Sequence, residues 1–194
     1  MIATVGYRSG SASDPGLVRE ENEDRVYADE SRGIFLVVDG MGGRAAGETA
    51  AQTAVDVIAR YPIESERDVA EAITAANNQI HRLAQEREAC RGMAWVLTLA
   101  VAREDRITVG HVGDSRLYLI WNGTIRKLTS DHSPVGELED SGNSPKRKRW
   151  RILNGMKYFA MWVRELANFR TMISLNLSRF ASKPARHCYF ARTV

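Results

Sequence analysis

The chain has 194 residues, 44% hydrophobic and 26% charged, a balance that excludes a disordered, collagen-like or coiled-coil protein and suits one or at most two globular domains. The longest apolar stretch, Met93 to Ala102, is broken by Thr98 and falls well short of the roughly 18 residues a membrane span needs. The net charge of +3 conceals an asymmetry: residues 1–140 hold 15 Lys+Arg against 23 Asp+Glu, a net −8, while residues 141–194 hold 12 against 1, a net +11. A split of this kind marks either a basic arm for nucleic acid or an acidic surface, or two segments of different origin.

Met1-Ile2-Ala3-Thr4-Val5 shows no basic region, long apolar run or small-residue cleavage site, so no secretory signal is visible and a cytoplasmic location is expected. Cys90 and Cys188 lie 98 residues apart with no partner at metal-ligand spacing, which predicts two free thiols rather than a disulfide or zinc site.

In chain order, Thr4 to Tyr7 reads as a short strand and Arg8 to Gly16 as a loop rich in Ser, Gly, Asp and Pro. Arg25 to Ala28 reads as a second strand, turned at Glu30 to Gly33 into the apolar run Ile34 to Val38, which suits a buried strand. That run ends in Asp39-Gly40-Met41-Gly42-Gly43. A helix is predicted from near Ala45 to Arg60, with Ala50, Ala54, Val57 and Ile58 on one stripe and a stop at Tyr61-Pro62. A longer one, from about Arg67 to Glu88, carries Val69, Ile73, Ala76, Ile80 and Leu83 at helical spacing.

Met93 to Ala102 and Arg106 to Val112 then read as strands joined by Arg103-Glu104-Asp105. Leu117 to Trp121 and Thr124 to Leu128 flank Asn122-Gly123, a strong short hairpin signal. Strands, two amphipathic helices and an antiparallel meander predict a layered α+β fold.

Acids gather where strands begin or end: Glu23 and Asp24 before one strand, Asp39 at the tip of the next, Asp114 between two more. Oxygen ligands converging from several strand ends are what Mg²⁺ or Mn²⁺ requires, and glycines at 40, 42 and 43 let a backbone carbonyl and a hydrated ion approach closely. Each feature also has an ordinary reading: a turn at Asp39-Gly40, solvated acids at Glu23-Asp24, a local cap at Asp114-Ser115. Their conjunction favours the metal reading, because a strongly apolar strand running into an acid and a glycine cluster holds a ligand rigidly at the rim of a sheet. Among the histidines, His111 in its apolar strand reads as a hydrogen-bonded core residue rather than a base, and His81 as solvated.

Four segments, Leu17 to Asp24, Val37 to Glu48, Gly110 to Tyr118 and Leu128 to Ser133, resemble in order the motifs of the bacterial PPM (type 2C) metal-dependent serine/threonine protein phosphatases. The resemblance covers residues 1–142. It implies an α-β-β-α sandwich with a two-metal centre, Mn²⁺ or Mg²⁺, in a cleft at one end. Carried over by position, Asp39 bridges the two metals, Glu23 and the Gly40 carbonyl bind the second, Asp114 serves a third, weaker site, and Asp24 stands behind the ligands. Arg19 holds the substrate phosphate, with a metal-bridging hydroxide as nucleophile, and His132 marks the structural end of the last motif. The implied substrate is a phosphoprotein, the product of a Ser/Thr kinase.

Two departures, Arg44 in place of the family's usual histidine and Ala94-Trp95 in place of small and hydroxyl residues, remove no ligand. The third is larger: the Ser-Asp-Gly and final Asp-Asn motifs, which carry two further aspartates to the first metal, have no counterpart between Gly142 and Val194. Residues 143–194 are instead a basic tail opening near Lys146-Arg147-Lys148-Arg149-Trp150-Arg151. Permitted codons for this tail, read one nucleotide out of frame, recover family-like sequence from Pro145 onward and Leu-Phe-Cys-Ser-Asp-Gly across Tyr189 to Val194. The tail is therefore expected to be out-of-frame sequence that leaves the sandwich incomplete at its C-terminal end, with uncovered sheet edges, poor solubility and doubtful turnover. A non-catalytic phosphoprotein-binding pseudo-phosphatase is the alternative, and a nucleic-acid-binding arm the weaker one.

Overall fold

Burial along two apolar runs decides which strands lie inside the sheet. In the computed structural model, which describes residues 7–17, 19–43, 45–103, 106–121, 124–134, 136, 138, 141, 171–176 and 187–191, strand β2 (Ile34–Met41) buries alternate residues through most of its length. Strand β3 (Ala94–Arg103) is buried at every position but the last. Both faces of β3 must therefore be covered. It is the middle strand of a five-stranded antiparallel sheet in the order β1 (Asp24–Asp29), β2, β3, β4 (Arg106–Val112), β7 (Thr171–Asn176).

Two helices cover one face. Helix α1 (Ala45–Arg60) turns Ala50, Ala54 and Ile58 inward as its stripe predicts, whereas Val57 is only partly buried. Helix α2 (Glu66–Glu86) buries Val69, Ala72, Ala76 and Ile80, with Ile73 and Leu83 partly buried beside them. Its start is fixed by a capping box, in which Ser65 Oγ accepts from the Asp68 N–H and Asp68 accepts from the Ser65 N–H at 2.7 Å. These bonds, with the Glu64 backbone N–H foremost, hold the Asp68 carboxyl below its ordinary value. Under the helices lie Ile34, Leu36, Val38, Trp95, Leu97, Leu99 and Val101.

The opposite face meets a second, three-stranded antiparallel sheet in the order β6 (Thr124–Lys127), β5 (Arg116–Trp121), β8 (His187–Ala191). Leu117 of β5 packs with Ala100, Ala102, Ile107 and Val109, with Phe35 and Leu128 alongside. Among the described residues the architecture is thus α+β, two helices over two antiparallel sheets. Residues 4–6 of the expected first strand, the turns at 104–105 and 122–123, Arg44, and most of the tail fall outside the described residues.

One expectation needs correcting. The edges of both sheets were expected to lie uncovered at the C-terminal end, yet residues 171–176 pair with β4 and 187–191 with β5. An edge strand offers a row of unpaired N–H and C=O groups to any extended segment. Thr171-Met172-Ile173-Ser174-Leu175-Asn176 and His187-Cys188-Tyr189-Phe190-Ala191 are rich enough in strand-forming residues to accept it.

The segment after β6 locks the two sheets together. Leu128 N–H donates to the Leu117 carbonyl at 2.8 Å, and His132 N–H to the Gly113 carbonyl at 2.7 Å. Asp131 receives the Arg116 guanidinium through both oxygens. His111, paired with Thr98 in the register of β3 and β4, is a core residue, as expected. Its Nε2 faces the Ser130 carbonyl at 3.1 Å and its Nδ1 faces Thr98 Oγ1 at 2.9 Å. Since a carbonyl only accepts, Nε2 carries the proton and Nδ1 accepts from the threonine hydroxyl.

Burial, then the neighbouring His132 ring, push His111 down to about 4. The folded chain therefore binds fewer protons than the unfolded chain between that value and the ordinary 6.5, and stability rises with pH through that window. Imidazole NMR is expected to show the His111 ring neutral from pH 7 down to about 5.5; titration near its ordinary value would contradict this burial. Leu99→Ala, at a fully buried position under the helices, should cost about 2–5 kcal/mol in urea unfolding.

Candidate metal centre

Asp39 follows the apolar part of β2, Asp24 opens β1, and the antiparallel register sets them opposite one another. The pairing runs one step further: the Gly40 N–H donates to the Glu23 carbonyl at 3.1 Å. Glu23, Asp24, Asp39 and Gly40 are thereby gathered at one end of the large sheet. Asp39 is 7% exposed, and the Glu23 side chain 14%, so both carboxylates are largely removed from water.

The first turn of α1 presses onto this strand end. A Cβ at Gly40 would lie 1.9 Å from the Gly47 carbonyl oxygen, and one at Gly47 would lie 2.2 Å from Glu23 Oε1. Neither position accepts a side chain without displacing backbone or carboxylate. Glu23 Oε1 is consequently laid against Gly47, buried, with no hydrogen-bond donor among the described residues. Its other oxygen is 3.4 Å from Arg19 Nη1. A buried carboxylate oxygen lacking a donor is costly, and it suits a hard cation that takes oxygen ligands. The residues present fit a divalent metal on those grounds.

Asp114 reaches the same end of the sheet by another route. Val96 is the register partner of Asp39, and Gly113 packs so closely on Val96 that an added Cβ would lie 2.2 Å from its Cγ1. The loop bearing Asp114 therefore rises beside the end of β2. Among the described residues, however, no three His, Cys, Asp or Glu side chains close on a single point. The expected ligands share one end of the sheet without three of their side chains converging on one ion. Arg19 stands at the rim, its side chain 52% exposed, open to a ligand arriving from solvent.

Side chains without an evident role in the local sequence hold this arrangement. Asn22 Oδ1 accepts from the Asp24 N–H at 2.9 Å, and its Nδ2 donates to Ser13 Oγ at 2.7 Å. Arg25 reaches α1, donating to Gln52 Oε1 at 3.1 Å and pairing with Glu48. The Asn two residues before an acid was a legible turn signal. The Arg25–Glu48 pair joins residues 23 apart and had no local signature.

A sequence profile described as Protein phosphatase 2C matches residues 7–142. The serine/threonine phosphatase stp of Listeria welshimeri is 34% identical over 155 residues, 70% of this chain and 62% of that protein. The serine/threonine protein phosphatase PstP of Mycobacterium tuberculosis is 34% identical over 144 residues, 72% of this chain and 28% of its own length. The chain thus spans less than two thirds of these relatives. The crystal structure of the catalytic domain of PstP in complex with two manganese ions superposes with a TM-score of 0.65 at 28% identity, covering 93% of this chain and 71% of that one. Fold, motif order and these likenesses agree: the chain belongs to the protein phosphatase 2C family.

Proposed function

We propose that this chain is a metal-dependent serine/threonine protein phosphatase domain, with its site carried by residues 1–142 and residues 143–194 an out-of-frame tail that supplies no ligand, although 171–176 and 187–191 border the two sheets. The observation that carries the reading is the buried Glu23 Oε1 against Gly47, with no donor among the described residues, beside the Gly40 backbone and Asp39. In this reading Glu23 and the Gly40 carbonyl would hold one Mn²⁺ or Mg²⁺, Asp39 would be shared with a second, and Asp114 would serve a weaker third site. The manganese-complexed PstP domain supports the choice of metal. Bound cations of this kind supply Lewis-acid chemistry, acidifying water and neutralising charge on phosphoryl oxygens.

The chain's own groups do the rest. Arg19, exposed at the rim, offers a planar guanidinium fork that matches two phosphate oxygens. Its place next to Glu23 sets the phosphorus of a bound phosphoserine or phosphothreonine at the sheet end. Asp24, opposite Asp39 in the register, supports the ligand loop without reaching substrate. The substrate is a phosphoprotein made by a Ser/Thr kinase, met in the cytoplasm; among the described residues no helix is long and apolar enough to cross a membrane.

The test is Mn²⁺-dependent release of phosphate from a phosphothreonine peptide by the full chain. Asp39→Asn should reduce turnover beyond the roughly 10–100-fold that loss of an outer-shell partner costs. Arg19→Ala should raise KM more than it lowers kcat, since it removes ground-state phosphate binding. Phosphopeptide binding with no turnover in Mn²⁺ would replace the enzyme reading with the pseudo-phosphatase one. Gly47→Ala, which drives a methyl into Glu23 Oε1, should weaken Mn²⁺ binding in a calorimetric titration.

A further inference from the structure

We infer that Arg25 is a positioning residue that orients Glu23 toward the metal by clamping the carbonyls of the residues on either side of it; the inference rests on the metal reading above. Three successive carbonyls are all engaged, in two opposed directions. Those of Asn22 and Asp24 both accept from Arg25 Nη1, each at 2.8 Å. The carbonyl between them, that of Glu23, accepts from the Gly40 N–H at 3.1 Å. Arg25 holds the peptide before Glu23 and the Gly40 N–H the one after it, while the second Arg25 bond, to Asp24, fixes the next peptide along; the backbone at Glu23 is thereby set, and its side chain is directed onto Gly47, where Oε1 is buried.

The clamp is itself anchored. Arg25 Nε donates to Gln52 Oε1 at 3.1 Å and Nη2 pairs with Glu48 Oε1, both on α1, the helix whose first turn supplies Gly47. One guanidinium therefore ties the ligand loop to the surface against which the ligand is pressed. The Arg25 side chain is only 25% exposed, so the links are partly shielded from water. A lysine cannot substitute: a single ammonium lacks the planar fork that reaches two carbonyls, an amide and a carboxylate together.

The experiment measures Mn²⁺ affinity of the full chain by the loss of the free-ion EPR signal, alongside the thermal midpoint without metal. Arg25→Gln is expected to weaken Mn²⁺ binding by roughly 10–100-fold, Arg25→Lys to fail to restore it, and Glu48→Gln to give an intermediate loss. The metal-free midpoint should stay within a few degrees in the two milder variants, Arg25→Lys and Glu48→Gln. Arg67→Gln, which removes an exposed ion pair with Glu71 on α2, controls for charge and should bind as the parent does. Affinity within twofold of the parent in Arg25→Gln, full rescue by Arg25→Lys, or affinity lost only in step with the fold overturns the inference. Failure of the unsubstituted chain to bind Mn²⁺ overturns the metal reading itself, and the inference with it.

Discussion

The contact on which the site depends is the near-touch of two backbones at Gly40 and Gly47. Strand β2 ends and helix α1 begins within a few residues, and the chain turns back so tightly that neither glycine has space for a methyl group. This closeness lets the Glu23 carboxylate lie in the crevice between strand end and helix start. It also presents the acids to the amino-terminal end of a helix, whose unsatisfied N–H groups favour negative charge. A larger residue at either position separates strand from helix and disperses the ligand set with them.

Around that contact the structure divides its work. The apolar faces of β2 and β3 hold α1 and α2 through a continuous core, which fixes the helix that carries Gly47. The opposite face carries the smaller sheet, and residues 128–133 brace it through the Leu117 carbonyl and the Arg116–Asp131 pair and tie it to β4 through the Gly113 carbonyl and the His111 side chain. The Asp114 loop is thus set from one sheet and the Glu23 loop from the other end of the strand order. The two halves of the site owe their relative placement to β3, which pairs with β2 through Val96 and Asp39 and with β4 through Leu97 and Val112.

Much of this was legible in local sequence. The helix bounds at Ala45 and Arg60, the alternating strands and the acids at strand ends each follow from periodicity and residue chemistry, and the ordered motifs pointed to the family. What was not legible was long-range. Nothing local announces that Arg25 meets Glu48, that Asp24 lies opposite Asp39, or that the glycine within α1 is there for a carboxylate of another segment. The covering of the β4 and β5 edges by 171–176 and 187–191 was likewise missed. It depends on the demand of an open edge rather than on a motif in the tail, whose short strand-forming runs lie within strongly basic sequence.

The position of the ligand loop on β1 carries a consequence for motion. Among the described residues β1 is an edge strand, bonded on one side only, while β3 is buried nearly throughout its length and flanked on both sides. Amide exchange with solvent follows local opening, which is easiest at the periphery of a sheet and hardest at its centre. The loop bearing Glu23, held to α1 through Arg25, is therefore expected to open more readily than the centre of the sheet. A cation bridging this loop to Asp39 would tie the edge strand to the interior, so that occupancy of the site and slow exchange along β1 rise together.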